Sequence, residues 1–293
     1  MDLILQVLQT VAPVFILGGI GVLWVKMGWE YRVQFVTRLT MTLSVPALIF
    51  VSLMKTEIDP QALRDTALAA LITYIAVGLF LLVLLKMLKL ELRTFLAPLS
   101  FGNTGNLGLP LALFAFGTTG FDFAVVIFAI MAVLSFTIGV WVVSGGGSPV
   151  SAIKEPIVWA TILGGVFLIN GWMLPTWTVN TLDLIGQIAI PVMLITLGVA
   201  IARLKPGTFG RAIWLSTVKY VVCIAVPVAV GLFFALPPIA LGVLIIQVST
   251  PVAVTSYMLA EKYEADADQV AGLVMVSTVM SIIVIPVLLA FLM

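Results

Sequence analysis

Long apolar runs separated by short polar breaks recur from one end of the chain to the other. A membrane-length window over that pattern predicts ten spans. The first five run from about 3 to 25, 34 to 54, 65 to 88, 94 to 116 and 121 to 143, and the second five from about 156 to 174, 180 to 202, 210 to 235, 238 to 260 and 267 to 292. No polar stretch between them is long enough to fold as a soluble domain. The longest break, Ser144 to Pro149, reads Ser-Gly-Gly-Gly-Ser-Pro and has the composition of a flexible connector. It falls near the centre of the chain and divides five spans from five.

Two spans carry polarity inside the apolar run. Asn103-Thr104-Gly105-Asn106-Leu107-Gly108-Leu109-Pro110 lies within span four, and Gln247-Val248-Ser249-Thr250-Pro251-Val252-Ala253-Val254-Thr255 within span nine. Proline removes a backbone donor and crowds the turn before it, while glycine adds freedom, so a continuous helix is not expected at either place. In a bilayer such open backbone survives only buried in protein or lining a watery cavity. The helices are therefore expected to break near Pro110 and Pro251, with Asn103, seven positions ahead of Pro110, on the half-helix leading to the break.

The prolines also suggest a repeat. Pro13 and Pro156, Pro46 and Pro191, and Pro110 and Pro251 are separated by 143, 145 and 141 residues. A near-constant offset argues for a duplicated five-span unit, residues 1–143 and 156–293 around a connector at 144–155. Because five is odd, the copies lie in opposite orientation, the common plan of secondary transporters. The fold class is thus all-α and polytopic, two inverted five-helix repeats whose broken helices cross.

Composition closes off other classes. With 62% hydrophobic residues, 9% charged residues and a mean hydropathy of +1.26, the chain cannot hide its apolar surface in one soluble core. The net charge of +1 leaves no basic footprint for nucleic acid. There is no histidine and one cysteine, Cys223, so neither an intrachain disulfide nor the commonest soft-metal ligands are on hand, and no cofactor or metal is expected. Asp2 stands where a signal peptide would carry basic residues, so the first apolar run is expected to be a retained span. Eleven of the 14 lysines and arginines fall in loops after odd-numbered spans, Lys26, Arg93, Lys154 and Arg203 among them, against Lys55 and Arg64 on the other side. The positive-inside rule then makes the odd loops cytoplasmic and places both termini outside.

Where two broken helices cross, freed amides and half-helix N-termini face one another, and N-termini favour an anion. Asn103 and Gln247 can donate to a carboxylate without burying a permanent countercharge, whose cost if unpaired is several kcal/mol. Asn103, Thr104, Gly105, Asn106, Pro110, Gln247, Ser249, Thr250 and Pro251 are accordingly the candidate substrate site. The bland alternative is that these groups only tie helices together. Ser249 and Thr250 could also hold an ion, and Lys219 could couple charge. Lying about eight residues into span eight, roughly 12 Å along a helix axis, Lys219 is expected to snorkel toward the cytoplasmic interface. Trp172, Trp177 and Trp214 read as interfacial anchors, and Glu261, Glu264, Asp266 and Asp268 as a solvated loop in which Asp266 or Asp268 caps helix ten.

These residues also resemble a known family. Asn103-Thr104 followed by Gly108-Leu109-Pro110-Leu111, Ser44-Val45-Pro46, Thr196-Leu197-Gly198, and the Gln247 to Pro251 segment leading to Ala260-Glu261-Lys262-Tyr263 are similar to the auxin efflux carriers, which include plant PIN proteins and bacterial malonate or malate permease-like carriers. The resemblance implies a scaffold of helices 1, 2, 6 and 7 that forms homodimers. It implies a transport domain of helices 3 to 5 and 8 to 10 moving as an elevator, and carboxylate contact by Asn103 and by residues beside Pro110 and Pro251. The chain departs from the plant members in its six-residue connector, where PIN proteins often carry a long cytoplasmic loop, and in having no acidic residue well inside span three.

The expected function is transport of a small organic anion, a carboxylate, across the cytoplasmic membrane, with an anion channel or a sodium-coupled organic-acid symporter as the alternatives. A channel needs a continuous polar lining, whereas polarity here sits in two short interruptions. An enzyme needs a nucleophile with a base, or a metal cluster, inside the spans, and neither is seen. Sodium, protons and membrane potential alone all stay open as energy sources, since one charge moving down the potential gains about 2.3 kcal/mol per 100 mV.

Overall fold

The computed structural model describes residues 3–146, 156–203 and 209–293. Much of the central connector, with Lys154, and also Lys205 lie outside the described residues. Among those described the chain is helical, its β-structure confined to a single isolated bridge. Seven helical stretches are long and apolar enough to cross a membrane, and Pro156–Asn170 and Pro238–Val248 are shorter apolar helices. The protein is polytopic.

In chain order, α1 spans Leu3–Lys26, and α2 (Val33–Leu39) widens through a π turn at Thr40–Ser44 into α3 (Val45–Lys55). Next come α4 (Pro60–Met87), α5 (Leu92–Ser100), a π turn at Thr104–Gly108, α6 (Leu109–Leu134), a third π turn at Ser135–Gly139 and α7 (Val140–Val143). The later helices are α8 (Pro156–Asn170), α9 (Thr176–Gln187), α10 (Ala189–Arg203), α11 (Phe209–Phe233), α12 (Pro238–Val248), α13 (Val254–Lys262) and α14 (Ala267–Leu292). Two of the π turns stand directly ahead of Pro46 and Pro110. A proline has no N–H for the turn before it, and the helix widens there to compensate.

Several junctions follow from local chemistry. Asp59 caps α4 by accepting from the Ala62 amide at 3.2 Å, and Asp266 caps α14 by accepting from the Gln269 amide at 3.1 Å. Of the two acids considered for helix ten, Asp266 is the cap. Gly117 lies within α6 at φ +65°, ψ −158°, where the helical course is interrupted in a conformation that favours glycine. That interruption falls between predicted spans four and five. Glu261, Glu264, Asp266 and Asp268 are exposed, as are Trp172, Trp177 and Trp214.

The helices pack in two sets, each drawing on both halves of the chain. In one, α1 lies along α10, and α3 packs on α8 and α9. The α1–α10 approach is backbone to backbone, because a Cβ on Gly198 would collide with the Gly18 carbonyl and one on Gly21 with the Ile195 carbonyl. Small residues at such a crossing let two apolar helices come close enough for dispersion contact to hold them together in lipid. In the other set α4 packs on α5, α6 and α11, α12 on α6 and α11, and α14 on α11 and α13.

Candidate functional site

Both polar interruptions are real breaks, and they meet. α5 stops at Ser100 and helix resumes at Thr104; α12 stops at Val248 and α13 begins at Val254. Between them Gly102 and Val252 form an antiparallel bridge, in which the Asn103 amide donates to the Pro251 carbonyl at 2.7 Å. The Val252 amide donates to Ser277 Oγ on α14 at 3.0 Å. Backbone groups freed by the breaks thus find partners inside protein, as a site away from water demands. Gly102 is required by the approach itself, since a Cβ there would strike Thr250, whose carbonyl oxygen would stand 2.8 Å away.

The first break lies earlier than the sequence suggests. It covers Phe101 to Asn103, and Pro110 lies inside the helix that resumes at Thr104, just after its π turn, where the widened backbone accommodates the missing N–H. Asn103 is therefore in the break and not on the half-helix before it. The second break contains Pro251, as expected.

A cavity of about 60 Å³ opens beside this crossing, room for a few waters or a carboxylate-sized group. Its polar lining comes from Asn103, Gly105 and Asn106 at the start of one resumed helix, from Ala253, Thr255 and Ser256 at the start of the other, and from Ser135 in the π turn after α6. Phe101, Phe128, Met131 and Phe136 supply apolar walls, and among the described residues no lysine, arginine, aspartate or glutamate lines it. Asn103 is 4% exposed and its Nδ2 makes no hydrogen bond among the described residues. Met41 and Ile157, from the first helix set, close the cavity from the opposite side.

The remaining candidates stand behind this lining. Gln247 Nε2 reaches the Ala124 carbonyl at 3.4 Å, while its Oε1 has no hydrogen-bond partner and lies against Gly108. Ser249 Oγ donates to the Ile245 carbonyl and Thr250 Oγ1 to the Gln247 carbonyl, so both hydroxyl hydrogens serve their own helix end. Thr104 is fully buried with its hydroxyl unpartnered, and Pro110 packs in the core. Ser256, with the backbone around Ala253, had no place among the predicted residues. The signal was present in the sequence: helix restarting after Pro251 places Thr255 and Ser256 in its first turn, where small hydroxylated residues belong. The snorkelling expected of Lys219 does not occur. The residue is wholly buried, and its ammonium points inward to the Leu99 carbonyl at 3.3 Å.

Residues 140–289, about half of the chain, match the family described as membrane transport protein. The chain belongs to that family, which is the auxin efflux carrier family. It is a transporter family, and the protein is accordingly a membrane transporter and not an enzyme. An uncharacterized transporter of Methanothermobacter thermautotrophicus is 25% identical over 300 residues, covering 97% of this chain and 96% of the relative. Another, from Methanocaldococcus jannaschii, is 24% identical over 276 residues, covering 87% and 88%.

Two larger clefts complete the picture for this transporter. One of about 670 Å³ is lined by Ser52, Lys55, Thr118, Asp122 and Asp183, where Ser52 Oγ of α3 donates to Asp122 of α6 at 2.7 Å. The other, about 660 Å³, is lined by Tyr31, Arg32, Arg203, Tyr257 and Glu261. Beside it the Tyr31 hydroxyl pairs with Thr196 Oγ1 at 2.6 Å. Thr196 spends its own hydrogen on the Val192 carbonyl, so Tyr31 is the donor, and partial burial pushes its phenol above the ordinary range. Each cleft lies between the two helix sets.

Proposed function

We propose that this transporter is a secondary carrier of small organic carboxylates, whose cargo binds at the crossing of the two breaks. The observation that carries the reading is the convergence of two helix N-termini and an unpartnered, buried amide on one carboxylate-sized cavity. Helix N-termini present free N–H groups and partial positive charge, which suit an anion without a fixed countercharge. Asn103, Gly105, Asn106, Thr255 and Ser256 are the proposed contacts. Thr104, Pro110, Gln247, Ser249, Thr250 and Pro251 hold the two breaks in place around them.

The architecture that goes with this reading has ten spans in two inverted repeats, 1–143 and 156–293. Span four is α5 with α6 up to Gly117, span five is the rest of α6 with α7, and span nine is α12 with α13. The set α1–α3 with α8–α10 is the scaffold, through which two copies dimerise; α4–α7 with α11–α14 is the moving part. Clefts on either side of the cavity, both between the sets, support alternation by displacement of one set against the other. On this reading the basic loops are cytoplasmic and both termini lie outside, as the positive-inside rule favours.

Screening small mono- and dicarboxylates for thermal stabilisation, with and without sodium, identifies a cargo, because a ligand selective for the folded state raises stability by mass action. Uptake into proteoliposomes then decides the class. Saturable flux with counterflow is expected. Ohmic current would make the protein a channel, and absence of flux or stabilisation with every carboxylate would remove the reading.

A further inference from the structure

Lys219 is near the middle of the 25-residue α11 and is completely buried. Its ammonium lies 3.3 Å from the Leu99 carbonyl and 3.7 Å from Cys223 Sγ, and no ion pair with a carboxylate is found for it among the described residues. A buried ammonium without a countercharge costs several kcal/mol unless oxygen dipoles replace its water. Leu99 supplies one. It stands in the last turn of α5, whose final carbonyls lose their helical partners when the helix breaks and carry the negative end of the helix dipole.

More oxygens are nearby and unused. Ser100 Oγ on α5, Ser216 Oγ one turn before Lys219, and Thr73 Oγ1 and Tyr74 OH on α4 are buried with no hydrogen-bond partner among the described residues. Helices α4, α5 and α11 pack on one another, and Tyr74 and Ser100 line one pocket between α4 and α5. Carbonyl and hydroxyl oxygens at the C-terminal end of a half-helix form the donor set that holds a monovalent cation in carriers built from broken helices.

We propose that this region is a cation site occupied by the chain's own lysine: the Lys219 ammonium is a tethered counter-cation standing where a free monovalent cation would otherwise sit at the broken end of α5. The broken end is then stabilised without sodium. The inference requires no cargo, so it stands or falls separately from the carboxylate reading.

The test uses purified wild type, Lys219→Ala and Lys219→Met in choline chloride, with choline replaced stepwise by sodium or potassium at constant ionic strength. Wild type should melt at a temperature indifferent to the replacement. Lys219→Ala, which opens the site, should melt lower and recover saturably, by about 2 to 5 °C for a site filled to tenfold its dissociation constant. Lys219→Met, which fills the space with an uncharged chain, should melt lower and not recover. If Lys219→Ala responds to sodium and potassium no more than wild type does, the proposal is overturned. Preparing the alanine variant in sodium chloride supplies the expected ligand from the start, so a variant that folds in neither salt overturns it as well.

Discussion

Asn103 lines the cavity between two helix starts, and its buried amide nitrogen makes no hydrogen bond among the described residues. A donor in that condition contributes nothing to holding helices together, and its desolvation is offset only when a ligand arrives. Replacing Asn103 by Ala should therefore weaken carboxylate affinity by roughly 10- to 150-fold, the range for a hydrogen bond to a charged group, while the ligand-free melting temperature changes little. Calorimetric binding beside a melting curve checks both halves. Unchanged affinity in a destabilised protein would return Asn103 to a packing role. Ser256→Ala should weaken binding without loss of stability in the same pair of measurements, since Ser256 lines the cavity from the other helix start.

Among the elements, the tightest constraints are glycines at crossings. A Cβ at residue 198 would run into the Gly18 backbone, whereas a Cβ at residue 18 would meet nothing within 4 Å. Gly198→Ala should then destabilise the α1–α10 pair by about 1 to 3 kcal/mol, as overpacking does, and Gly18→Ala should leave the melting temperature nearly unchanged. The asymmetry is the test, because a general effect of alanine in a membrane helix would move both alike. At the breaks, Gly102→Ala forces apart the strands that bridge to Val252. Binding and stability should fall together there, in contrast to Asn103→Ala, since the change reaches the backbone that shapes the cavity.

For the whole molecule the proposed motion makes one demand. Ser52 on α3 and Asp122 on α6 belong to different helix sets and are in hydrogen-bond contact. The one native cysteine, Cys223, is buried, so cysteines placed at 52 and 122 can be joined by a short thiol cross-linker with little competition. Joining them should stop uptake, spare carboxylate binding, and be reversed with a cleavable linker. Binding lost on cross-linking would point to local gating at the cavity, and uptake that continues would mean the sets do not move apart there.

Much of this was legible in the residues because lipid imposes simple rules. Twenty apolar residues in a row make a spanning helix, and proline with glycine and amides inside such a run marks open backbone that needs a protein environment. Membrane class and the presence of two interruptions follow from that, while the family was legible only through the resemblance its motifs carry, with Asn103, Gly105 and Asn106 already singled out. Three things were decided by tertiary structure. The first break lies at Phe101 to Asn103 because the π turn at Thr104–Gly108 accommodates Pro110 inside the resumed helix, whereas Gly102 alone could pass against Thr250. The polar lining passed from Ser249 and Thr250, whose hydroxyls close their own helix end, to Thr255 and Ser256 beyond the bridge. Lys219 turned inward because α5, distant in sequence, ends beside it with a free carbonyl. Periodicity and composition report how each residue meets the bilayer; they carry no record of which helix end will lie against it, and that contact sets where a buried charge or a donor points.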